Sequence, residues 1–586
     1  MPANDRLSRL RALIHDEPSP NTVRAIQRIL SDWPLDDDHA LGLAYAQEHL
    51  LGLLTRMLSR SPGPSAWNAL TSTLDAWPHP ANLADLIPRL DLILNNWPNA
   101  LRTSPEHWLN ELTPHTAPPG WPLVRTLRLP SAWNERKRKT LWDSTHLHRI
   151  VELDLTRCTD FNTSDVRALS RNLKQLRALT TGPHLDTRIL NPLLNPSTLP
   201  SLHALDLSNA TLLTADLTAL LHHPGFARIS HLDLARTKID ADAMAALQDA
   251  RHLDNLKTLN LAGNPLGDLG ALHLSNAQRL DNLRSLDLHG CNLGVGAIDA
   301  LIGGTLLTRL ENLNLRQNQF GDLGAQLLIQ ERPIPTLRAL NLSSNQIDDQ
   351  TLRLLAASPG CQRLERLSLR DNLIGDDGAT ALALSPHLAS LTLLNLRANK
   401  IGPQGLRALA TSPTLRHLRH LTVRANPIGD DGVDALASAT FLPALRHLDL
   451  TSTGLSDKAA QSLAKAQNLG PLTTLLLRNN NLSVTGLRAL LISGSLNTLE
   501  RLDLGGNAID ASAAVLLADL VRTERLRELG LRRNYLTDDD VELLARAGLD
   551  GCLESINVQR NYTRAARMKP LVDKRGLLLR WFPATR

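Results

Sequence analysis

The sequence predicts an α/β fold, a right-handed solenoid shaped like a horseshoe, with a parallel concave β-sheet, outer helices and a separate all-α N-terminal domain. Three observations support this prediction. A leucine pattern restarts at a constant interval from Leu256 through Leu283 and Leu310 to Leu553, and a fixed period of this length is typical of solenoids. Only 3% of the residues are aromatic, so the core of the array must be aliphatic. Eight of the nine tryptophans precede residue 143, which sets an N-terminal region apart from the rest.

The first 115 residues have the apolar spacing of short helices, as in the segments TVRAIQRILSDW and AWNALTSTLDAW. Three of these segments run into a proline, at Trp33, Trp77 and Trp97. Proline disfavours the helical conformation in the residue before it, so each pair is a suitable helix end. We therefore predict a helical N-terminal domain over residues 1–115. Two roles stay open for it, a cap on the end of the solenoid or a domain that binds its own partner.

Residues 116–149 are predicted to be a junction with a possible starting repeat, because VRTLRL has the alternation of a strand. A basic run at residues 136–139 lies in a predicted loop. Such a run can be a nuclear-targeting or nucleic-acid patch, or simply a solvated surface.

The repeats are predicted to extend over residues 150–561 in about sixteen units, most of them about 27 residues long. In the unit at residues 364–390, the alternation around Leu367 and Leu369 predicts a short strand with one buried face. Gly375 is expected to permit a tight turn, and the two aspartates that follow it suit the first turn of a helix.

One asparagine per repeat lies where the chain must turn out of the strand, and a buried amide there can bond backbone groups that otherwise lack partners. Cysteine or threonine replaces it in four repeats, so Cys158 and Cys291 are predicted to be structural. The predicted structural asparagine ladder consists of Asn264, Asn318, Asn345, Asn372, Asn399, Asn426, Asn480, Asn507, Asn534 and Asn561.

The motif LxxLxLxxNxIGDDGxxxLA resembles the ribonuclease-inhibitor type of leucine-rich repeat. Ribonuclease inhibitor, Ran GTPase-activating protein, NOD-like receptors and the GALA-type effectors of plant-pathogenic bacteria share this type. The resemblance implies a protein-interaction scaffold. Two alternatives follow from it, a regulator that resembles a GTPase activator and a secreted effector that recruits a ubiquitin ligase. The N-terminal helical region has no match.

Counted from the opening leucine of each repeat, positions 3, 5 and 7 are predicted to face the concave side. The predicted surface is acidic toward its N-terminal end and basic from residue 316 onward. Two interpretations of this surface stay open. It is a binding surface for an acidic protein partner, or its arginines pair laterally with Asp449 and Asp503, as surface charges often do. The candidate partner-binding residues are Asp206, Asp233, Asp287, Arg316, Arg366, Arg370, Arg397, Arg424, Arg478, Arg532, His420 and His447.

Residues 562–586 are predicted to cap the last repeat. Leu577, Leu579, Trp581 and Phe582 form an apolar cluster that can cover the end of the core. From Arg560 onward there are eight basic residues and one acid, so a basic arm for nucleic acid or anionic membranes is the alternative.

The sequence lacks a P-loop, an HExxH motif, a GxSxG elbow and paired cysteines. His417 and His420 have no evident third ligand. We therefore expect no enzyme activity, no cofactor and no metal. Four scattered cysteines, no signal peptide and no long apolar run predict a cytoplasmic protein, although a non-cleaved secretion signal would also fit this sequence. The expected state is a monomer without a membrane span, and nucleic acid is not the expected partner.

Overall fold

The computed structural model describes residues 8–10, 25–26, 28–29, 51–52, 54–55, 58, 62–75, 77, 83–185, 187–330, 334–437, 442–466, 471–492, 497–522, 525–550, 553, 555–563 and 578–580. The chain divides into two compact units. Unit 1 comprises Met1–Ile239 and Asp249–Asn260, and unit 2 comprises Asp240–Gln248 and Leu261–Arg586. Trp33, Cys552 and the side chains of the predicted C-terminal cluster lie outside the described residues.

The N-terminal region of unit 1 is helical, as predicted. Two of its buried indole rings are hydrogen-bonded: Trp67 Nε1 donates to the Thr103 carbonyl at 2.8 Å, and Trp97 Nε1 donates to the Leu58 carbonyl at 3.3 Å. Trp97 follows a short 3₁₀ turn, Leu94–Asn96, and is extended. From Pro64 onward, the described helices of unit 1 are α1 (Pro64–Asp75), α2 (Leu86–Ile93), α3 (Glu106–Glu111), α4 (Glu135–Trp142), α5 (Thr163–Leu169), α6 (Leu190–Leu194) and α7 (Thr214–His222).

The basic run at residues 136–139 lies within α4, so its assignment to a loop was wrong. The Asn134 side chain caps the helix by accepting from the Lys137 amide at 3.1 Å. Arg138 is fully buried and contacts Asp160 and Asp165 at 2.6 and 3.1 Å. The helix escaped prediction because its inward face contains an arginine whose two counter-ions lie on a later segment of the chain, beyond β2.

Six three-residue strands form a parallel sheet in unit 1. The first strand, in the predicted junction, pairs with the strand of the first full repeat, Leu127 opposite Leu153. The strands are β1 (Thr126–Arg128), β2 (Glu152–Asp154), β3 (Ala178–Thr180), β4 (Ala204–Asp206), β5 (His231–Asp233) and β6 (Thr258–Asn260).

Unit 2 repeats the same strand–turn–helix alternation, and the predicted solenoid fold is confirmed. The central leucine of each strand is buried, as Leu367 and Leu394 show at 0% exposure. The parallel strands are β7 (Ser285–Asp287), β8 (Asn312–Asn314), β9 (Ala339–Asn341), β10 (Arg366–Ser368), β11 (Leu393–Asn395), β12 (His420–Thr422), β13 (His447–Asp449), β14 (Thr474–Leu476), β15 (Arg501–Asp503), β16 (Glu528–Gly530), β17 (Ser555–Asn557) and β18 (Leu578–Arg580).

Each helix of unit 2 buries one face, as Gly378, Ala379, Leu382 and Ala383 do in α13. Small residues in this face let neighbouring helices approach closely. The helices are α8 (Ala241–Gln248), α9 (Gly267–Asn276), α10 (Val295–Gly303), α11 (Gly321–Gln330), α12 (Asp349–Ala357), α13 (Asp376–Leu384), α14 (Pro403–Ala410), α15 (Gly429–Ala437), α16 (Asp457–Ala464), α17 (Val484–Ile492), α18 (Ala511–Val521) and α19 (Asp538–Asp550). Within the described part of the chain, no helix is long and apolar enough to cross a membrane.

Candidate binding face of unit 2

The candidate site is the open face of the unit 2 sheet, defined here as the side chains at positions 3, 5 and 7 of each repeat. In β10 the flanking residues Arg366 and Ser368 are accessible while Leu367 between them is buried. This alternation follows from the two-residue period of a strand. Two rows of hydrogen bonds beneath the face hold it in place.

The first row is the asparagine ladder, whose ten predicted members are all buried. Asn345 Nδ2 donates to the carbonyls of Leu315 and Leu342 at 2.9 and 3.1 Å. Asn372 Oδ1 accepts from the amides of Asn345 and Ile347 at 3.0 Å. Each amide therefore bonds the backbone of its own repeat and of the preceding one.

Thr237, Cys291 and Thr453, which replace asparagine, each keep one of these bonds. Thr453 Oγ1 donates to the Leu450 carbonyl at 2.6 Å, and Cys291 Sγ contacts the Leu261 carbonyl at 3.2 Å. Burial raises the pKa of the Cys291 thiol to about 12. The thiol is therefore protonated and unreactive at neutral pH.

The sequence analysis predicted a tight turn at Gly375, but the structure places the turn earlier in the repeat. Gly375 has φ −105°, whereas Asp371, just before the ladder asparagine, has φ 52°. The equivalent residue is left-handed in the neighbouring repeats too, with Ala398 at 52° and Ala425 at 56°. The prediction missed this turn because ordinary residues occupy a position that favours glycine.

A second ladder, of aspartates, was also missed. Asp349 Oδ1 accepts from the amides of Gly375 and Gly378 at 2.7 and 3.0 Å, and therefore caps the helix of the following repeat. Asp376 bonds Gly402 and Gly405 in the same way, at 2.7 and 2.8 Å. The sequence signal was an aspartate at position 13 in seven of the eleven repeats that open from Leu256 to Leu526. The sequence analysis assigned this aspartate to the first turn of its own helix.

The three candidate acids bond their own backbone. Asp206, Asp233 and Asp287 accept from the amides two residues later at 2.9, 2.8 and 2.9 Å. The second oxygen of Asp287 accepts from Asn314 Nδ2 at 2.9 Å. Asp206 and Asp233 belong to unit 1, while Asp287 belongs to unit 2. Each carboxylate therefore has a structural role at the end of its strand.

The candidate arginines at position 7 form the arginine row, defined as Arg316, Arg370, Arg397, Arg424, Arg478 and Arg532. Arg370, Arg397 and Arg424 occupy three successive repeats, and Arg370 Nε contacts Asp371 at 2.7 Å. Burial and the charges of Arg424 and Arg370 lower the pKa of Arg397. Nε is buried without a hydrogen-bond partner in Arg316, Arg397, Arg478 and Arg532.

Lateral pairing accounts for little of this charge. Arg478 Nε lies 3.6 Å from Asp503. Among the described residues, no ion pair joins Arg424 to Asp449 or Arg532 to Asp503. Asp449 instead accepts from the Thr451 amide at 2.9 Å. The row thus contains more positive charge than its neighbours neutralise.

Position 3 supplies the remaining candidates. Arg366 reaches across Ala339 to donate to Asn312 Oδ1 at 3.1 Å. Together with Asp287 and Asn314 it lines a shallow cavity of about 230 Å³. The rings of His420 and His447 lie 5.6 Å apart, and burial and His420 lower the pKa of His447. The described residues contain no group of three potential metal ligands.

The fold and this periodic face define a chain built from leucine-rich repeats. A family model described as Leucine Rich repeat matches residues 252–275, 308–328, 334–356, 360–383, 387–410, 414–437, 442–464 and 495–518. A comparison with curated proteins found no match. Among solved structures, an internalin from Listeria monocytogenes is similar, with 19% identity over 64% of this chain and 90% of the other, and a TM-score of 0.36. A chain of the Rad7 and Elc1 complex in yeast is also similar, with 16% identity over 72% of this chain and 88% of the other, and a TM-score of 0.39.

Proposed function

We propose that this chain is a non-catalytic scaffold that binds an acidic surface of a partner protein on the open face of unit 2. The observation that carries the proposal is the run Arg370, Arg397 and Arg424. These arginines follow three adjacent strands, each two residues beyond the strand end, and Asp371 is the one carboxylate that forms an ion pair with them among the described residues. Mutual repulsion makes the run costly for the free protein, and an acidic partner would relieve that cost.

The unpaired Nε groups indicate how a partner would bind. A buried donor without an acceptor is destabilising, and a carboxylate supplies a charge-assisted hydrogen bond to it. Arg397 has both features, an unpaired Nε and two positively charged neighbours. We therefore expect it to be the centre of the contact, with electrostatic steering from the rest of the row.

The test compares two triple charge reversals. Arg370→Glu, Arg397→Glu and Arg424→Glu change the row, while Arg353→Glu, Arg407→Glu and Arg488→Glu place the same charges on exposed helical positions of unit 2. Capture of the native partner and binding of a labelled poly-glutamate probe are measured for both variants, with circular dichroism to verify folding. We expect the first variant alone to lose binding, and the wild type to lose most of it at about 0.5 M salt. Binding that survives both changes would contradict an electrostatic site.

We also propose that the repeats are of the ribonuclease-inhibitor type. The support is the constant spacing of the strands from β6 to β17, with a helix in each repeat. For the domain limits we propose residues 1–115, 116–149, 150–561 and 562–586. The C-terminal segment would act as the cap, and the pairing of β18 with β17 supports that role. We also propose that the protein is a cytoplasmic monomer; Cys158, Cys291 and Cys361 are buried free thiols, which suits a reducing compartment.

A further inference from the structure

The last two repeats of unit 2 present an exposed aromatic pair. The rings of Tyr535 and Tyr562 stack with their centroids 6.1 Å apart and their planes 24° apart. The two side chains are 51% and 69% exposed. Both follow the ladder asparagine directly, at position 10 of the repeat. The same position in the ten preceding repeats has no aromatic residue: Pro265, Asn292, Gln319, Gln346, Leu373, Lys400, Pro427, Gly454, Asn481 and Ala508. The fold therefore does not require a ring there.

Three arginines, Arg532, Arg533 and Arg560, each lie within three residues of one of the two tyrosines along the chain. Arg533 and Arg560 are exposed and left-handed, with φ 57° and 59°. Glycine fits this conformation better, and Gly506 adopts it in the repeat before. Arg532 lies next to them, and burial followed by the charges of Arg560, Arg478 and Arg533 lowers its pKa.

The Nε of Arg532 is buried without a hydrogen-bond partner. No carboxylate of the described residues forms an ion pair with Arg532, Arg533 or Arg560. We call these three arginines and the two tyrosines the terminal rim. It therefore combines two exposed rings with three arginines that form no ion pair among the described residues.

We propose that the terminal rim binds single-stranded nucleic acid. Bases would stack on Tyr535 and Tyr562, while the three guanidinium groups would bind phosphates. Aromatic platforms beside basic side chains are the means by which proteins bind single strands without reading their sequence. An acidic peptide would use the arginines alone and leave the ring faces in water, so the tyrosines favour a nucleic acid.

This inference departs from the expectation that nucleic acid is not a partner. That expectation took the basic run at residues 136–139 as a solvated surface and the C-terminal segment as a cap. The rim instead forms from two successive repeats, which place Tyr535 beside Tyr562. Little preference for base sequence is expected, because stacking is available to every base.

The test uses the full-length protein and a fluorescein-labelled oligo(dT) of about 20 nucleotides, long enough for one such site. Binding is followed by fluorescence anisotropy at about 50–300 mM salt, and three phosphate contacts predict a slope of about −2 for log affinity against log salt. Tyr535→Ala with Tyr562→Ala is expected to weaken binding roughly tenfold or more, since stacking contributes about 1–3 kcal/mol per base. Tyr535→Phe with Tyr562→Phe is expected to retain affinity, because the ring and not the hydroxyl stacks.

Two arginine pairs serve as a matched comparison. Arg533→Ala with Arg560→Ala is expected to make the salt slope less steep by about 1.4. Arg407→Ala with Arg488→Ala, on the outer helices, is expected to leave affinity and slope unchanged. Melting temperatures identify any variant that fails to fold, and the comparison of the two arginine pairs then decides whether the oligonucleotide binds at the rim.

Two outcomes would overturn the proposal. The first is that the oligonucleotide does not bind even at about 50 mM salt, where phosphate contacts are strongest, or that it binds equally well to the variant without the tyrosine rings. The other is tyrosine-dependent binding of a poly-glutamate peptide in place of the oligonucleotide, which would assign the rim to an acidic protein segment. The rim shares Arg532 with the arginine row but contains none of Arg370, Arg397 and Arg424. Failure here therefore does not contradict the proposed function, which is tested at those three arginines.

Discussion

Arginine has opposite roles in the two units. In unit 1 the buried arginines bind carboxylates: Arg138 pairs with Asp160 and Asp165, and Arg102 and Arg125 both pair with Asp91. In unit 2 the arginine row is partly exposed, and it has few internal partners. A buried charge must be paired within the protein, whereas a partly exposed charge stays hydrated and remains available to a binding partner. The environment, and not the residue type, thus separates a structural arginine from a candidate binding arginine.

The largest expected effect is at Arg138. Burial lowers its pKa, but hydrogen bonds to Asp165 and Asp160 outweigh burial and raise it. Arg138→Met would leave the Asp165 carboxylate, which is 3% exposed, without its counter-ion. Removing one partner of such a pair costs about 3–5 kcal/mol.

Urea unfolding followed by tryptophan fluorescence measures the loss in unit 1, because Trp142 Nε1 donates to the same Asp165 at 2.9 Å. The exposed Arg136 on the same helix supplies the control, Arg136→Met. Equal stability of the two variants would mean that the buried pair contributes nothing to unit 1.

A smaller loss is expected in unit 2 at Asn399, whose Nδ2 donates to the carbonyls of Leu369 and Leu396 at 3.0 Å. Its Oδ1 accepts from the Ile374 amide at 3.1 Å. Asn399→Ala removes these bonds and is expected to cost about 1–3 kcal/mol. Hydrogen exchange is expected to increase mainly in adjacent repeats. Full thermal stability combined with lost binding would instead make the asparagines recognition residues.

Arg397→Met is expected to change the stability of unit 2 by less than about 1 kcal/mol, because partly exposed charges contribute little. We expect the substitution to stabilise unit 2, because it removes an unfavourable charge. The pKa of the Arg397 guanidinium is lowered by burial and by the charges of Arg424 and Arg370. Thermal unfolding compared with Arg138→Met tests the contrast directly. A loss as large as that of Arg138→Met would end the distinction between the two arginine roles.

The smallest expected effect is a pH dependence at the histidine pair of unit 2. Burial, His420 and Arg501 outweigh Asp449 and lower the pKa of His447 in the folded protein. The unfolded chain then binds the proton more readily, so stability is full above about pH 6.5 and decreases as the pH falls through that value. His447→Gln is expected to flatten the curve of melting temperature between about pH 7 and pH 5. An unchanged curve would show that this histidine does not contribute.

His231 of unit 1 supplies a matched comparison for this effect. Burial, His203 and Lys257 lower its pKa, and its ring centroid lies 6.2 Å from that of His203. We expect His231→Gln to flatten the same curve with the same sign.

The sequence by itself determined the solenoid, because the same local interactions recur at a constant period. Each repeat therefore predicts the same strand, turn and helix. It also determined the buried row of asparagines, whose bonds reach no further than the neighbouring repeat. The helix Glu135–Trp142, the ladder of Asp349 and Asp376, and the terminal rim depended on the tertiary structure. In these cases the partner of a side chain is on another coil, and the spacing of residues along one coil cannot show which groups pair across coils. For the same reason, the sequence located the arginine row, but only the structure showed which of its charges lack a partner among the described residues.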